Sequence, residues 1–283
     1  MKQSIYRIKS WLKHHITAWN TGGEGVHSPY LFEWVRMVMS DKHAYYMWHE
    51  IESVREEMLQ DPRVVEFVDY GSAKRRMSTS KEQDCFLQEC RCGDEARDER
   101  HVKDIARGSL ARKKYAQMMY RLVNWLGEGK GLNIIELGTS LGVTTAYLAA
   151  ADSRNKVVSY EGCAAVAEIA EENWRKLGLK NVECRVGEIT EGILQVIDNH
   201  VDVAFVDANH TYASTCAYFN MLAEKVHEKS VIIVDDIHHS EEMERAWKEI
   251  CADTRVTSTM DLYQMGLVFF DQHYWKRNYR MIL

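Results

Sequence analysis

The second half of the chain alternates between two hydrophobic rhythms. Short apolar, β-branched runs at 133–137, 157–160, 182–186, 201–206 and 231–234 read as buried strands, and the segments 143–151, 164–177, 190–197, 212–226 and 241–251 carry helical spacing. Repeated strand–helix units imply a parallel sheet with helices on both faces. The ending departs from that rhythm. Residues 255–262 and 267–270 are strand-like and separated only by a turn at 264–266. Parallel neighbours need a crossover of a dozen or more residues, so this pair is expected to be antiparallel. The predicted fold is α/β, a doubly wound, mainly parallel seven-stranded sheet closed by a C-terminal antiparallel hairpin.

The first half reads as helical. Ile5, Ile8, Leu12, Ile16 and Trp19 form one stripe of a helix over 1–20, with Lys2, Arg7, Lys9 and Lys13 mostly elsewhere on the wheel. A basic amphipathic helix of this kind can dock on a membrane surface, but its stripe is expected against its own domain or a sister subunit, the latter giving a homo-oligomer through the N-terminal helices. Residues 22–29 break the helix, and Ser28 with Pro29 caps and opens the next. Two helices are expected within 30–58, interrupted near 40–43, with Trp34 and Trp48 as core residues; the apolar run 64–68 has no assigned state. Residues 71–108 are polar and mixed in charge, the pattern of a mobile loop or lid, with helical signal returning from Val102. Tyr115, Met118, Met119, Leu122 and Trp125 share one face of a helix over 114–126, which 127–131 should stop. The expected organisation is a helical N-terminal or cap region, 1–130, containing the polar loop, followed by a ligand-binding α/β domain, 131–283.

Composition narrows the partners. A chain of 283 residues, 46% hydrophobic and 28% charged, can bury a large core. Its formal net charge of -6 disfavours a dedicated nucleic-acid binder and favours a small-molecule or protein substrate. Seven scattered cysteines, no secretory signal and no long apolar run point to a cytoplasmic protein without a transmembrane segment or a disulfide framework. Cys85, Cys90 and Cys92 lie close together but lack the second pair that a zinc site would need.

Candidate chemistry begins at the turn between 133–137 and 143–151. Gly138 and Gly142 bracket small residues, so the backbone can approach a ligand and the amides opening the helix can donate to it. Ser140 stands where a dinucleotide fingerprint has its middle glycine, which disfavours a pyrophosphate. Glu161 ends the next strand about twenty residues beyond Gly142, where a carboxylate can accept from a ribose diol. The pattern Glu136-x-Gly138-x-x-x-Gly142 resembles motif I of class I S-adenosylmethionine (SAM)-dependent methyltransferases, and the terminal hairpin agrees with that family. The resemblance implies SAM as cofactor, held by Glu136, Gly138, Thr139, Ser140, Gly142, Glu161 and Asp207, with Gly187 and Glu188 resembling the family's adenine-contacting turn.

Asp207 closes the strand 201–206, and Asp235 with Asp236 closes 231–234. Ligands bind beyond the carboxyl ends of such strands, so the three acids should converge, and a divalent cation such as Mg²⁺ would offset their repulsion. The alternative is protonation, solvation or hydrogen bonding to Asn209. The three acids look like the metal triad of Mg²⁺-dependent O-methyltransferases of the catechol and macrolide-sugar kinds, and Asp236, in place of an Asn, fits the sugar type better. His210, His238 and His239 surround the same place, with His210 the expected general base beside Asp207. The implied activity is O-methylation of a hydroxylated small molecule in a pocket shaped by residues 22–115. A metal-independent N- or C-methyltransferase, a nicotinamide-dependent oxidoreductase and a non-catalytic interaction module working through residues 1–20 stand as alternatives.

Overall fold

A computed structural model describes residues 2–18, 25–68, 97–187, 189, 200–272 and 276–283. The chain opens with α1 (Lys2–Thr17), α2 (Pro29–Trp34) continuing into a π-helical turn Val35–Met39, and α3 (Tyr46–Gln60). A small antiparallel pair follows, β1 (Val64–Val68) and β2 (Arg97–His101), then α4 (Val102–Ser109) and α5 (Lys113–Gly127). The α/β portion runs β3 (Asn133–Leu137), α6 (Val143–Ala150), β4 (Lys156–Glu161), α7 (Ala164–Lys176), β5 (Val182–Val186), β6 (Val201–Val206), α8 (Tyr212–Ala223), β7 (Val226–Asp235) and α9 (Glu241–Ala252), closing with β8 (Ser258–Asp261), β9 (Met265–Phe269) and β10 (Arg277–Arg280).

The main sheet has the order β10-β8-β9-β7-β6-β3-β4-β5. β3 pairs in parallel with β4 and β6, β4 with β5, and β6 with β7, whereas β9 runs antiparallel to both β7 and β8. The mainly parallel sheet and its antiparallel closure agree with the sequence pattern. An eighth strand was not legible: β10 pairs in parallel with β8, yet its sequence is Arg-Asn-Tyr-Arg, in which Tyr279 alone is apolar and buried.

Strand alternation divides the core. Ile134, Val203, Phe205, Ile233 and Leu267 join Trp34, Val35, Met118, Met119 and Leu122 on one face; Ile135, Ala204, Val206, Ile232 and Val234 join Phe219, Leu222, Trp247 and Ile250 on the other. Trp34 is fully buried with its ring edge-on to Phe269, and Trp48 is buried among Ala116, Tyr120 and Tyr147, so both tryptophans are core residues as expected. Ser28 caps α2 by accepting from the Leu31 amide, with Pro29 in the first turn.

Two expectations for the N-terminal half are corrected. The lid-like segment contains a strand, 97–101, and then the helix expected from Val102, at 102–109, while 69–96, with Cys85, Cys90 and Cys92, lies outside the described residues. β2 escapes an apolar pattern because it pairs through its backbone with β1 and carries only charged side chains and His101, the Arg100 guanidinium lying 4.1 Å from the Phe67 ring centroid. The second correction concerns only the packing of α1 on its own domain, where it docks through polar groups and leaves Ile8, Leu12 and Ile16 of its stripe exposed: Tyr6 donates to Glu244 (2.5 Å), His14 pairs with the Met281 carbonyl (3.0 Å), and Arg280 donates to Thr17 (2.6 Å). The predicted helix at 190–197 falls outside the described residues.

Candidate active site

The carboxyl ends of β3, β4, β6 and β7 open into one cavity of about 480 Å³, within the size range of small-molecule sites. Gly138, Ser140, Glu161, Gly187, Asp207, His210, Asp235 and Asp236 line it. Glu136, Thr139, Gly142, His238 and His239 do not, and Glu188 lies outside the described residues.

At the β3–β4 end, the turn is set by contact with neighbouring strands. Gly138 has φ +102°, and a Cβ there would meet the Asp207 carbonyl oxygen at 2.1 Å, so the turn and the end of β6 touch only because residue 138 has no side chain. The Glu161 carboxylate spans the turn: Oε2 accepts from the Ser140 amide (2.7 Å) and Oε1 from the Cys163 amide (3.0 Å). Burial pushes this carboxyl above its ordinary pKa, against the lowering effect of those amides. A carboxylate offers about four acceptor positions, so two bonded amides leave capacity for a ligand diol.

Three predicted cofactor residues act beneath the surface instead. Glu136 is fully buried; its Oε2 accepts from Ser159 (2.5 Å) and from Thr145, tying β4 and α6 to β3, and Oε1 has no hydrogen-bond partner. Burial raises its pKa to about 8, over the lowering by those hydroxyls, so the group is largely protonated at neutral pH. Thr139 turns its hydroxyl to Ser159 (2.6 Å). Gly142, in the left-handed region at φ +74°, sits against Trp174, whose indole donates to its carbonyl (2.8 Å). Sequence spacing grouped these residues but did not reveal that Glu136 and Thr139 face inward.

The β6–β7 end is acidic and strained. Asp207 pairs with His210, Oδ1 to Nε2 at 3.3 Å, and Asp236 pairs with His239 at 3.4 Å, the two imidazoles lying stacked 6.1 Å apart. Asp235 is buried with Oδ1 unpartnered, and burial together with Asp207 and Asp236 drives its pKa well above the carboxylate range. Burial also acts upward on Asp236, but the hydrogen bond from His239 and the charges of His210 and His239 hold it below its ordinary value. Burial disfavours the charged form of His210, yet the Asp207 hydrogen bond and the field of Asp207, Asp236 and Asp235 raise it to about 9. The expected general base is thus an imidazolium at neutral pH, because the acids meant to orient it also hold its proton. His238 is removed from the site altogether, buried against Asp261 at 2.9 Å. Ser140, Asn209, His210 and Asp236 are non-glycine residues with positive φ, and all four line the cavity. Such conformations cost about 1–3 kcal/mol each and collect at functional sites.

Fit to a divalent cation is good in kind. The donors are all carboxylate oxygens at adjacent strand ends, and the orphaned Oδ1 of Asp235 lacks a partner that a cation would supply. They are not gathered for chelation as they stand. Among the described residues, donor sets lying mutually within 4.8 Å are His14–His238–Asp261 and His200–Asp202–His227, not the three aspartates.

The rest of the wall comes from outside the motifs. Phe67 and Arg100 enter from the β1–β2 pair, Ile105, Gly108 and Ser109 from α4, Leu110 and Ala111 from the following loop, and Gln264 from the β8–β9 turn. The Ser109 hydroxyl lies 2.6 Å from that of Ser140, joining α4 to the glycine turn. Assigning the pocket wall to residues 22–115 anticipated the region, but no periodicity singled out these positions, and Gln264 lies elsewhere.

Comparison with known proteins agrees with this architecture. Residues 135–237 match the family model of a methyltransferase domain. No curated protein matches the chain. Among solved structures it is similar to an O-methyltransferase from Bacillus cereus in complex with SAH, at 24% identity over 59% of this chain and 88% of that chain, TM-score 0.51. It is also similar to the O-methyltransferase TomG from Streptomyces achromogenes, involved in tomaymycin synthesis and in complex with SAM, at 20% identity over 57% and 82%, TM-score 0.50. SAH-bound methyltransferase PaMTH1 of Podospora anserina, at 11% identity, matches 81% of this chain and 99% of that chain, TM-score 0.50. At these identities the structural likeness is one of fold. The sequence match to a methyltransferase domain runs from within β3 to just beyond β7, and the solved structures share the fold around it.

Proposed function

We propose that the protein is a SAM-dependent O-methyltransferase acting on a hydroxylated small molecule, with divalent-metal assistance. The carrying observation is the division of one cavity into a preorganised carboxylate seat at Glu161 and an under-satisfied acidic end at Asp207, Asp235 and Asp236. The SAM- and SAH-bound O-methyltransferases of like fold support the cofactor and the acceptor atom.

In this reading Glu161 accepts from the ribose diol, and Gly138 and Ser140 let the backbone approach the methionine end; Gly187 borders the base. When bound, SAM supplies an electrophilic sulfonium methyl and Mg²⁺, held by Asp207, Asp235 and Asp236, supplies positive charge that acidifies a hydroxyl. His210 sits where it can take the hydroxyl proton once its own has been released. The cavity walls from α4 and the β1–β2 pair exclude water and orient the acceptor. Positioning of this sort contributes about 7–11 kcal/mol, against about 3–5 kcal/mol from a general base, so His210 is the smaller contributor.

The test is methyl transfer from SAM to a panel of phenols, catechols and sugar hydroxyls, with and without EDTA. Transfer to oxygen that EDTA abolishes and Mg²⁺ restores supports the reading. Transfer insensitive to chelation removes the metal from it, and transfer to nitrogen or carbon removes the O-methyltransferase assignment.

A further inference from the structure

α1 presents the wrong face to the protein for a helix stabilised by its own core. Ile8 is 61% exposed, Trp11 45%, Leu12 47% and Ile16 81%. Arg7, Lys9 and Lys13 are exposed beside them. The opposite face is polar and fixed by specific bonds: Tyr6 to Glu244, His14 to Met281 and, at 3.3 Å, to Asp261, and Thr17 to Arg280. Tyr263 adds a bond to the Arg7 carbonyl (2.9 Å). Rolling the helix to bury its apolar stripe would break all of these, so the stripe is held outward. Burying a side chain such as Leu or Ile is worth roughly 1.5–3 kcal/mol, and among the described residues nothing covers this face.

We propose that α1 docks the protein on an anionic lipid surface, lying in the interface plane with Ile8, Trp11, Leu12 and Ile16 among the acyl chains and Arg7, Lys9 and Lys13 at the headgroups. The charge pattern selects this occupant. A two-fold pairing of α1 with a second copy would bring the same basic residues face to face, whereas anionic headgroups offer the opposite sign. A tryptophan beside cationic side chains on an exposed apolar stripe is the composition that the membrane–water boundary favours. The helix adjoins the acidic end of the cavity, Arg7 contributing to the field that lowers the Asp236 pKa, so docking sets that end of the site beside the lipid surface. No helix among the described residues is long and apolar enough to cross a membrane, and this attachment is peripheral.

The full chain should sediment with vesicles of phosphatidylcholine and phosphatidylserine and much less with phosphatidylcholine alone, with binding falling as salt rises. Lys9→Gln with Lys13→Gln should weaken it roughly 30-fold, about fivefold per charge. Ile16→Glu should remove it, and Trp11→Ser provides a second, milder apolar variant; all four positions are exposed, and thermal melts matching the unaltered chain establish that folding is intact. Absence of sedimentation with anionic vesicles overturns the proposal, as does binding that neither the charge nor the apolar variants reduce. A concentration-dependent dimer dissociated by Ile16→Glu, without vesicle binding, assigns the face to a second copy instead.

Discussion

The two ends of the cavity use the same functional group in opposite conditions. At the β3–β4 end, Glu161 is held by two backbone amides and keeps unused acceptor capacity. At the β6–β7 end, Asp235 has an oxygen with no partner, its pKa is driven up, and a protonated imidazole balances Asp207. The first is a carboxylate already fixed in place with acceptor positions to spare; the second crowds three carboxyl groups together and leaves an oxygen of one of them without a partner. On the proposed function this difference would separate cofactor retention from reaction chemistry within one cavity, and each variant below should affect one end more than the other.

The largest effect is expected at the acidic end. Asp235→Ala should lower methyl transfer by about 10³-fold or more, of the order seen when a transition-state electrostatic group is removed, while SAM affinity changes little; single-turnover kinetics beside calorimetry separate the two. Gly138→Ala joins the ends by force, since its Cβ has a backbone carbonyl 2.1 Å away and a left-handed φ. It should destabilise the protein by about 3 kcal/mol or more, read by urea unfolding. Glu161→Ala should weaken SAM binding by about 2–3 kcal/mol, roughly 30- to 150-fold, with a smaller loss of turnover at saturating cofactor.

Two pH effects are smaller. His210 has a folded-state pKa raised to about 9, so its contribution to stability is complete below its unfolded value near 6.5 and is lost as pH rises through 9. His210→Gln should flatten the decline of metal-free stability over that window. Glu136 works in the same direction for a different reason. Its folded pKa is raised to about 8, so its uncharged form favours folding below the unfolded value near 4.5 and ionisation of the unfolded chain erodes stability up to about 8. Glu136→Gln should therefore raise the melting temperature at pH 8 and change it little at pH 4.

The sheet was legible because strands buried on both faces must be apolar throughout, and the short hairpin connection dictated its antiparallel closure. β2 and β10 were not, since strands that pair through their backbones while carrying mostly charged or polar side chains have no hydrophobic signature. At the site, spacing located Gly138, Ser140, Glu161, Asp207, His210, Asp235 and Asp236 in one cavity. Glu136 and Thr139 turn their side chains inward to Ser159, Gly142 sits against Trp174, and His238 pairs with Asp261, so none of the four lines the cavity. Exposure of the α1 stripe was also hidden: amphipathicity shows that a helix has an apolar face, whereas polar contacts made far along the chain decide which face turns inward.

The central claim is that Glu161 and Asp235 serve separable steps, cofactor binding and methyl transfer, in one cavity. Calorimetric titration of SAH into the unaltered protein, Glu161→Ala and Asp235→Ala tests it most directly. The expected result is one site per chain in the unaltered protein, loss of at least roughly 30-fold in affinity for Glu161→Ala, consistent with removal of a charged hydrogen-bond acceptor, and near-unchanged affinity for Asp235→Ala. Equal losses in both variants, or no SAH binding to the unaltered protein, would contradict it.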